Sequence, residues 1–444
     1  MMNDERYVAA VEVCSSKIVA VVGKPHEDGR MEVIACDQER CIESVKYGVI
    51  QNLEETSMRI ARIIERLERK PAVTPRKITK VFVGLSGRSV RSITTEVKMI
   101  LQDETEITDA ILCKLRDQAL TTAVDSSLEV VDAIPRIYKV GKQETSSPKG
   151  MIGNQISATF DLIVCRPELK RNLSRTLQEK LHIPIAGFIV TALATAQLVL
   201  KDDEKRLGCM LVDMGAETTT VSIYKNGHLQ YFATLPLGGR NITRDLTSLG
   251  HLLEEKAEDI KITSGNALPR ESVSSLNMNG VSMTDVSNLI VARAEEIVAN
   301  VIQQIYYAGL QEKDLPAGIV CIGGGSHLNG MPDLIKNLTN MTVRRGDLPQ
   351  YIRIDDAKCL NTEMIEAASV LYAGAMNTEA NCLEIPNQDA LPITGEANQE
   401  EAGKERGGSE ENGPRKEGLF SKLGQKIAGL FSSPEEDDSD LIDE

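Results

Sequence analysis

The sequence predicts an α/β protein of two lobes, because one unit of strand, turn, strand, turn and strand occurs twice along its 444 residues. The first copy has strand patterns at Tyr7–Val13 and Lys17–Gly23 around the turn Cys14-Ser15-Ser16. The second copy has strand patterns at Gly208–Val212 and Thr218–Tyr224 around a turn of similar length. Helical patterns alternate with further strands after each copy, as they do in α/β folds.

The remaining elements follow from local periodicity. Leu53–Arg69 has apolar residues at helical spacing and stops before Pro71, which cannot continue a helix. Further strands are predicted at Met31–Cys36, Ile78–Gly84, Ile185–Val190, Leu229–Leu235 and Ala317–Ile322. Further helices are predicted at Pro167–Leu181, Asn241–Leu249, Leu253–Ser264, Asp285–Ala308 and Glu363–Ala375.

These patterns divide the chain into domains. The first lobe is expected at 1–84 and 166–202, and 85–165 reads as an inserted α+β domain of short strands around one helix. The second lobe is expected at 203–377, with 239–300 as its smaller part. The remaining segments are a disordered linker at 378–417, an amphipathic helix at 418–431 and an acidic tail at 432–444.

The charge of the chain is concentrated at its C-terminal end. The net charge is −15, and residues 378–444 alone hold 17 acidic and 6 basic residues. An acidic chain of this kind is not expected to bind nucleic acid. The nine scattered cysteines form no CxxC pair, the N-terminus shows no signal-peptide pattern, and no apolar run is long enough to span a membrane. A cytoplasmic protein is therefore expected.

Both repeated turns are candidates for phosphate binding. Small side chains let backbone N–H groups approach phosphate oxygens, so two facing hairpins can clamp a polyphosphate. The candidate contacts are Ser15, Ser16, Lys17, Gly215, Thr218 and Thr219. Asp213 ends its strand just before the second turn and could hold Mg²⁺ through water, as could Glu12 from the first strand. Either hairpin alone could equally be an ordinary structural hairpin, but their repetition at matching positions favours a shared site.

A third turn completes the candidate nucleotide site. Gly323, Gly324, Gly325 and Ser326 follow a buried strand, where bare backbone would let a planar base lie close. Glu258 and Lys261 lie one helical turn apart and could face a ribose, although a solvated helix pair would have the same spacing.

The segment 418–431 has the pattern of a membrane-surface helix. At about 100° per residue its apolar side chains fall within an arc of about 120°, with two lysines at one edge. The candidate lipid contacts are Leu419, Phe420, Lys422, Leu423, Lys426, Ile427, Leu430 and Phe431. A partner-docking helix would share this pattern, but the linker before it and the acidic run after it favour lipid.

In their order along the chain, these elements resemble the actin/Hsp70/sugar-kinase ATPase superfamily, which has a two-lobed actin-like fold. The position of the insert and the amphipathic C-terminus narrow the resemblance to FtsA, the family of bacterial cell-division actins. The strings that carry this resemblance are Val83-Gly84-Leu85-Ser86-Gly87, Asp132-Ala133-Ile134-Pro135-Arg136-Ile137-Tyr138 and Asn154-Gln155-Ile156-Ser157-Ala158. The match runs over about residues 5–376 and 418–431.

The resemblance implies a membrane adaptor. Such proteins bind ATP with Mg²⁺ between the lobes, polymerise into actin-like filaments and tether the FtsZ ring to the cytoplasmic face of the anionic membrane at the division site. The inserted domain is expected to recruit later division proteins, and 239–300 to bind the acidic FtsZ tail. The candidate contacts for that tail are Arg293, Arg240 and Arg244.

The sequence departs from the family pattern at both phosphate turns. Cys14 replaces a small residue of the first turn, and Glu217 stands where many relatives have glycine. No residue can be assigned to position an attacking water, so at most a slow ATPase is expected. Two alternatives share the superfamily fold, namely a small-molecule kinase and a pilus-assembly actin relative, but neither accounts for the amphipathic C-terminus.

Overall fold

The structure is a computed structural model that describes residues 5–250, 252–269, 277–278, 281–355 and 364–386. The predicted membrane segment at 418–431, the acidic tail and most of the predicted linker lie outside these residues. Within the described ranges no helix is both long and apolar enough to cross a membrane.

The described elements are 21 strands and ten α-helices. The strands are β1 (Val8–Val13), β2 (Lys17–Pro25), β3 (Met31–Arg40), β4 (Val45–Lys46), β5 (Val49–Ile50), β6 (Lys77–Ile78), β7 (Val81–Leu85), β8 (Arg91–Glu106), β9 (Glu129–Val140), β10 (Gln143–Thr145), β11 (Ile152–Cys165), β12 (Ile185–Val190), β13 (Cys209–Met214), β14 (Thr219–Lys225), β15 (His228–Leu235), β16 (Asn277–Met278), β17 (Val281–Ser282), β18 (Gly318–Ile322), β19 (Val343–Arg345), β20 (Ile352–Ile354) and β21 (Leu383–Glu384). The helices are α1 (Leu53–Glu68), α2 (Asp109–Leu120), α3 (Pro167–Ser174), α4 (Thr191–Val199), α5 (Asp202–Leu207), α6 (Gly239–Gly250), α7 (Glu254–Ser264), α8 (Met283–Tyr307), α9 (Met331–Thr339) and α10 (Ile365–Ala375).

The first lobe is built on a six-stranded sheet in the order β12-β7-β1-β2-β3-β20. β1 and β2 pair antiparallel and their register closes at Val13 and Ile18, while β7 runs parallel to β1. The strands β1 and β7 are buried along their whole length, as strands covered on both faces are. This arrangement confirms the predicted first copy of the repeated unit.

The chain returns to the first lobe at its C-terminal end, which corrects the predicted boundary at residue 377. β20 pairs in parallel with β3, and α10 buries Ile365 and Leu371 in the same core as β1 and β2. β21 then pairs with β6, and Arg6 donates hydrogen bonds to the carbonyls of Ala375 and Ala380. Residues 378–386, which composition assigned to the disordered linker, therefore belong to the first lobe.

The second lobe and the insert share one nine-stranded sheet, in the order β10-β9-β11-β8-β15-β14-β13-β18-β19. The repeated unit is β13, β14 and β15, and β18 runs parallel to β13. The insert joins this sheet where β8 meets β15 at Arg91 and Ala233. The Ser92 hydroxyl supports the junction, because it accepts from the Phe232 N–H at 3.1 Å and lies 3.3 Å from the Phe232 carbonyl.

The insert is a four-stranded antiparallel sheet covered by α2, as predicted in outline. Its strands are not short, however, because β8 has 16 residues and β11 has 14. The predicted helix 167–181 is also divided, into α3 and a π-helical turn at Arg175–Lys180. Seven described cysteines are free thiols.

Candidate functional site

The first candidate phosphate turn joins β1 to β2. The Cys14 N–H donates to the Lys17 carbonyl at 2.9 Å, which closes a tight hairpin. Ser15 is buried, and its hydroxyl accepts a hydrogen bond from the Gly48 N–H at 2.9 Å. Ser16 and Lys17 are partly buried. The predicted small-residue turn is present, but the Ser15 hydroxyl already contacts the neighbouring β4–β5 hairpin.

The second candidate phosphate turn, between β13 and β14, is held by the start of α6. The Gly215 N–H donates to the Thr218 carbonyl at 2.8 Å, and the Gly215 carbonyl accepts from the Gly239 N–H at 3.0 Å. Thr219 is buried and donates its hydroxyl proton to the Leu237 carbonyl at 2.8 Å. The turn is therefore fixed by contacts behind it, and Thr219 acts in that support.

The glycine turn lies directly against the end of β13. The parallel register pairs Asp213 with Ile322, so both strands end at the same edge of the sheet. Gly323 has a φ of 80°, and a Cβ there would lie 2.5 Å from Asp213 Oδ1. A Cβ on Gly325 would lie 3.0 Å from the Met214 Cβ. Only glycine permits this approach at residue 323, and the turn is thereby brought beside the second phosphate turn.

A small cavity of about 160 Å³ adjoins the glycine turn. Its lining includes Gly323, Ser326, His327, Arg345, Gly346 and Ile365. Ser326 is buried and donates its hydroxyl proton to the Gly323 carbonyl at 2.7 Å, so it shapes the turn from within. A much larger open groove of about 1990 Å³ lies elsewhere on the first lobe and is lined by none of the predicted site residues. The small cavity is the one that suits a planar base.

Arg240 joins the two phosphate turns. Its N–H donates to the Ala216 carbonyl at 2.7 Å, and its guanidinium Nη2 donates to the Ser15 carbonyl at 3.0 Å. The residue is only 9% exposed, which does not agree with its predicted role as a partner contact. Both turns of the candidate site are therefore tied through one buried side chain.

Arg244 also points into the protein through its charged end. Its Nη2 donates to Glu217 Oε1 at 2.6 Å, and Nη1 lies 3.4 Å from the Tyr47 hydroxyl. Its side chain is 43% exposed, so part of it still reaches the surface. To bind Arg244, an acidic partner would therefore have to compete with the carboxylate of Glu217.

The carboxyl groups of Glu12, Asp213 and Glu366 lie close enough for their charges to act on one another. Glu12 accepts hydrogen bonds from the hydroxyls of Ser86 at 2.8 Å and Thr191 at 2.9 Å. Burial raises the pKa of Glu12 to about 7, and burial together with Glu366 and Glu12 raises the pKa of Asp213 well above its usual range. Among the described residues no three potential ligands converge on one point. A divalent cation bound through water would offset the mutual repulsion of these carboxylates and favour their charged forms.

The predicted ribose pair is engaged with α6. Lys261 forms an ion pair with Glu258 at 2.6 Å and donates to the Gly239 carbonyl at 3.1 Å and to the Thr243 hydroxyl at 3.0 Å. Burial lowers the pKa of Lys261. The pair therefore lies behind the start of α6, beside the second phosphate turn, and not on a solvated helix face.

Arg293 is held between neighbouring helices. Its Nε and Nη2 donate to the two carboxylate oxygens of Asp245 at 2.6 and 3.0 Å, and its Nη1 donates to Glu296. These hydrogen bonds, first of all those to Asp245, raise the pKa of Arg293. The predicted contact for an acidic tail is thus already paired with carboxylates of this chain.

Sequence reasoning missed four residues of this site. Glu366 lies near the carboxyl groups because α10 returns to the first lobe, and nothing local to its sequence indicates this. Tyr47 and Gly48 occupy a hairpin turn in which both have positive φ, 51° and 80°, and the Tyr-Gly pair was a usable turn signal. Glu217 was noticed as a departure from the family pattern, but its partners depend on the tertiary fold.

Family models and relatives account for most of the chain. The model "Cell division protein FtsA" matches residues 210–356, and the model "SHS2 domain inserted in FTSA" matches residues 87–164. The Cell division protein FtsA of Porphyromonas gingivalis is 32% identical over 78% of this chain and 73% of its own length. That of Bacillus subtilis is 28% identical over 80% of this chain and 81% of its own length.

A solved structure confirms the fold. The structure described as "PilM-PilN type IV pilus biogenesis complex" superposes with a TM-score of 0.60 and 14% identity, over 83% of this chain and 98% of that one. The likeness covers most of the chain and agrees with the expected actin-like fold. The identity to the Porphyromonas gingivalis protein, over more than two thirds of both chains, shows that this chain belongs to the FtsA family of cell division proteins.

Proposed function

We propose that this chain binds Mg²⁺ and ATP between its lobes, assembles into actin-like filaments and links the FtsZ ring to the cytoplasmic membrane. The proposal that the chain binds ATP rests on the convergence of the two phosphate turns and the glycine turn. Arg240 contacts Ser15 in the first turn and Ala216 in the second, and Gly323 lies against Asp213 at the end of β13. The carboxyl ends of parallel strands are a common place for ligands in α/β sheets.

The second turn presents donors toward the proposed phosphates. Its carbonyls at Gly215 and Ala216 are occupied by N–H groups of α6, whereas the N–H groups of Ala216 and Thr218 have no partner among the described residues. Backbone donors of this kind cradle phosphate oxygens. Asp213, with Glu12 and Glu366 nearby, would hold Mg²⁺ through water, and the bound cation would neutralise charge on the phosphates.

Hydrolysis is proposed to be slow or absent. The buried carboxyl of Glu12 is already bonded to two hydroxyls, and Glu217 is held by two arginines, so neither is disposed to orient a water molecule. The nucleotide would then act mainly by holding the lobes in one arrangement. A purified protein that phosphorylates a sugar or polyol at ordinary enzyme rates would refute the adaptor function.

The membrane and FtsZ parts rest on family membership and sequence. A single helix such as 418–431 binds lipid weakly, but a filament carries many such helices and attaches firmly. For the FtsZ tail, Leu253 immediately before α7 is 81% exposed and Ile262 of α7 is 64% exposed, in the same lobe as Arg293. Exposed apolar side chains suit the hydrophobic part of such a peptide.

A thermal-shift titration tests the nucleotide part. Mg²⁺ with ATP should raise the melting temperature of the wild-type protein, because a ligand that binds only the folded state stabilises it. Gly324→Ala should fold normally, since a Cβ there meets nothing within 4 Å, yet it should bind ATP about tenfold more weakly because its methyl group holds a base away from the backbone. A wild-type protein that ATP does not stabilise would contradict the proposal.

A further inference from the structure

Glu217 is a wholly buried carboxylate that contacts both lobes. Its Oε2 accepts from the Tyr47 N–H of the first lobe at 2.7 Å. Its Oε1 accepts from Arg244 Nη2 at 2.6 Å and lies 3.1 Å from Arg240 Nη1. The Glu217 side chain is 0% exposed and that of Arg240 is 10% exposed. One side chain of the second phosphate turn is therefore fixed by three donors, two from α6 and one from the turn between β4 and β5.

This set of donors is the kind that binds oxyanions. Two guanidinium groups and a backbone N–H are typical partners of phosphate oxygens. The next N–H along the chain, that of Gly48, points to the first phosphate turn through Ser15 Oγ at 2.9 Å. Tyr47 and Gly48 both have positive φ, and their turn directs one N–H to Glu217 and the next to the first phosphate turn.

We infer that Glu217 is an internal anion that fills an oxyanion site between the lobes, and that a phosphate oxygen takes this site when the carboxylate is removed. The ligand class is a phosphate oxyanion, either free phosphate or the terminal phosphate of a nucleotide. The second source rests on the proposed function, because it places the nucleotide at the same turns. In the native chain Glu217 competes with that phosphate and lowers the affinity for it.

The ion pairs of Glu217 are buried, so loss of its charge would be costly. Removing one member of a buried ion pair leaves its partner uncompensated, which is strongly unfavourable. Without the Glu217 charge, the carboxylate left to pair with Arg240 among the described residues is that of Glu254, 3.8 Å from its Nε and 46% exposed. A soluble anion that enters the vacated position would restore the lost pairing. A side chain with a purely structural role would show no such rescue.

The test compares Glu217→Ala with the matched control Glu254→Ala in the full-length protein. Alanine removes both the charge and the volume of the carboxylate, so the position between the donors is open to an anion. Melting temperatures are measured in inorganic phosphate and in sodium chloride of equal ionic strength. Glu217→Ala should melt lower than wild type in chloride and should rise by about 4 °C at phosphate near 100 times its dissociation constant. The wild type and Glu254→Ala should not respond. An unresponsive Glu217→Ala would overturn the inference.

A nucleotide arm separates the two sources of phosphate. If the terminal phosphate of ATP enters the site, Glu217→Ala should favour ATP over ADP about tenfold more than the wild type does. Rescue by inorganic phosphate without this change assigns the site to free phosphate. A wild type that binds no nucleotide would refute the proposed function, while the inorganic phosphate result would still decide the inference.

A second variant keeps the test decisive if the first one does not fold in chloride. In Glu217→Ala with Arg240→Gln the buried positive charge of Arg240 is removed as well, so this chain should fold without phosphate and should lose the response to it. If Glu217→Ala folds only in phosphate buffer, that dependence supports the inference. A double variant that responds to phosphate as strongly as Glu217→Ala does would overturn it, because Arg240 would then not form the site.

Discussion

Arg136 and Asp161 form a two-point ion pair inside the insert, in which Nε lies 2.9 Å from Oδ2 and Nη2 donates to Oδ1. The Asp161 side chain is 0% exposed, and burial raises the pKa of its carboxyl. Arg136 Nη2 also donates to the Gln230 carbonyl of β15 at 2.7 Å. The same side chain thus neutralises a buried charge and fastens the insert to the second lobe.

Replacing Arg136 with alanine should destabilise the protein by about 3 kcal/mol, because Asp161 would be left buried without its partner. Equilibrium unfolding in urea measures this cost. Arg116→Ala is the matched control, since Arg116 forms an exposed ion pair with Asp132 in the same domain and should contribute less than about 1 kcal/mol. Equal losses in the two variants would show that Arg136 acts only at the surface.

Gly84→Ala should destabilise the protein by displacing the Glu12 side chain. A Cβ at residue 84 would lie 1.4 Å from Glu12 Oε2 and 2.7 Å from Thr191 Oγ1, so the carboxyl would have to move. We expect a loss of stability of about 1–3 kcal/mol. Adding Glu12→Ala removes the clash, so the cost of the double variant should be clearly below the sum of the two single costs. Additive costs measured by chemical denaturation would argue against the clash.

Gly323→Ala and Gly324→Ala should differ in stability, because the fold requires glycine at residue 323 but not at residue 324. An alanine at residue 323 would have an unfavourable positive φ, and its Cβ would clash with Asp213. We therefore expect the free energy of unfolding to fall by about 2 kcal/mol or more. At residue 324 the cost should stay within about 0.5 kcal/mol. Thermal unfolding without nucleotide measures both. Similar stability losses in the two variants would contradict the packing described for this turn.

Deletion of 418–431 should abolish sedimentation with liposomes that contain anionic lipid and leave ATP affinity unchanged. The segment has two lysines and no acidic residue within an otherwise acidic C-terminal region. Ile427→Glu should reproduce the loss, because this residue lies within the apolar arc. Gln425→Ala, on the opposite face by the same helical spacing, should sediment normally. Retained sedimentation of the deletion variant would remove the membrane assignment.

Asp245→Ala should strengthen the binding of an FtsZ C-terminal peptide severalfold, whereas Arg293→Gln should weaken it. The reason is competition, because Asp245 holds two of the Arg293 donors that an acidic peptide would need. Fluorescence polarisation with a labelled peptide measures both changes, and Arg116→Gln in the insert serves as the control. Unchanged affinity in both variants would show that the FtsZ peptide does not bind at Arg293.

Much of the site was readable from local sequence. The two hairpin turns, the glycine turn and the helices around them follow from periodicity, small residues and breakers, which act over a few positions along the chain. The roles of Arg240 and Glu217 were not readable in this way. Arg240 contacts Ser15, 225 residues earlier in the chain, and only the folded lobes bring the two together.

The sequence by itself determined the fold class, the repeated unit, the place of the insert and the charge pattern of the C-terminal region, since each is a property of neighbouring residues. The tertiary structure decided that β20 and α10 return to the first lobe, that the insert continues the sheet of the second lobe, and that Glu217 is paired with arginines. These outcomes depend on the burial of charge and on strand pairing between distant segments. Local periodicity specifies the type of each element, but the free energy of packing selects its partner.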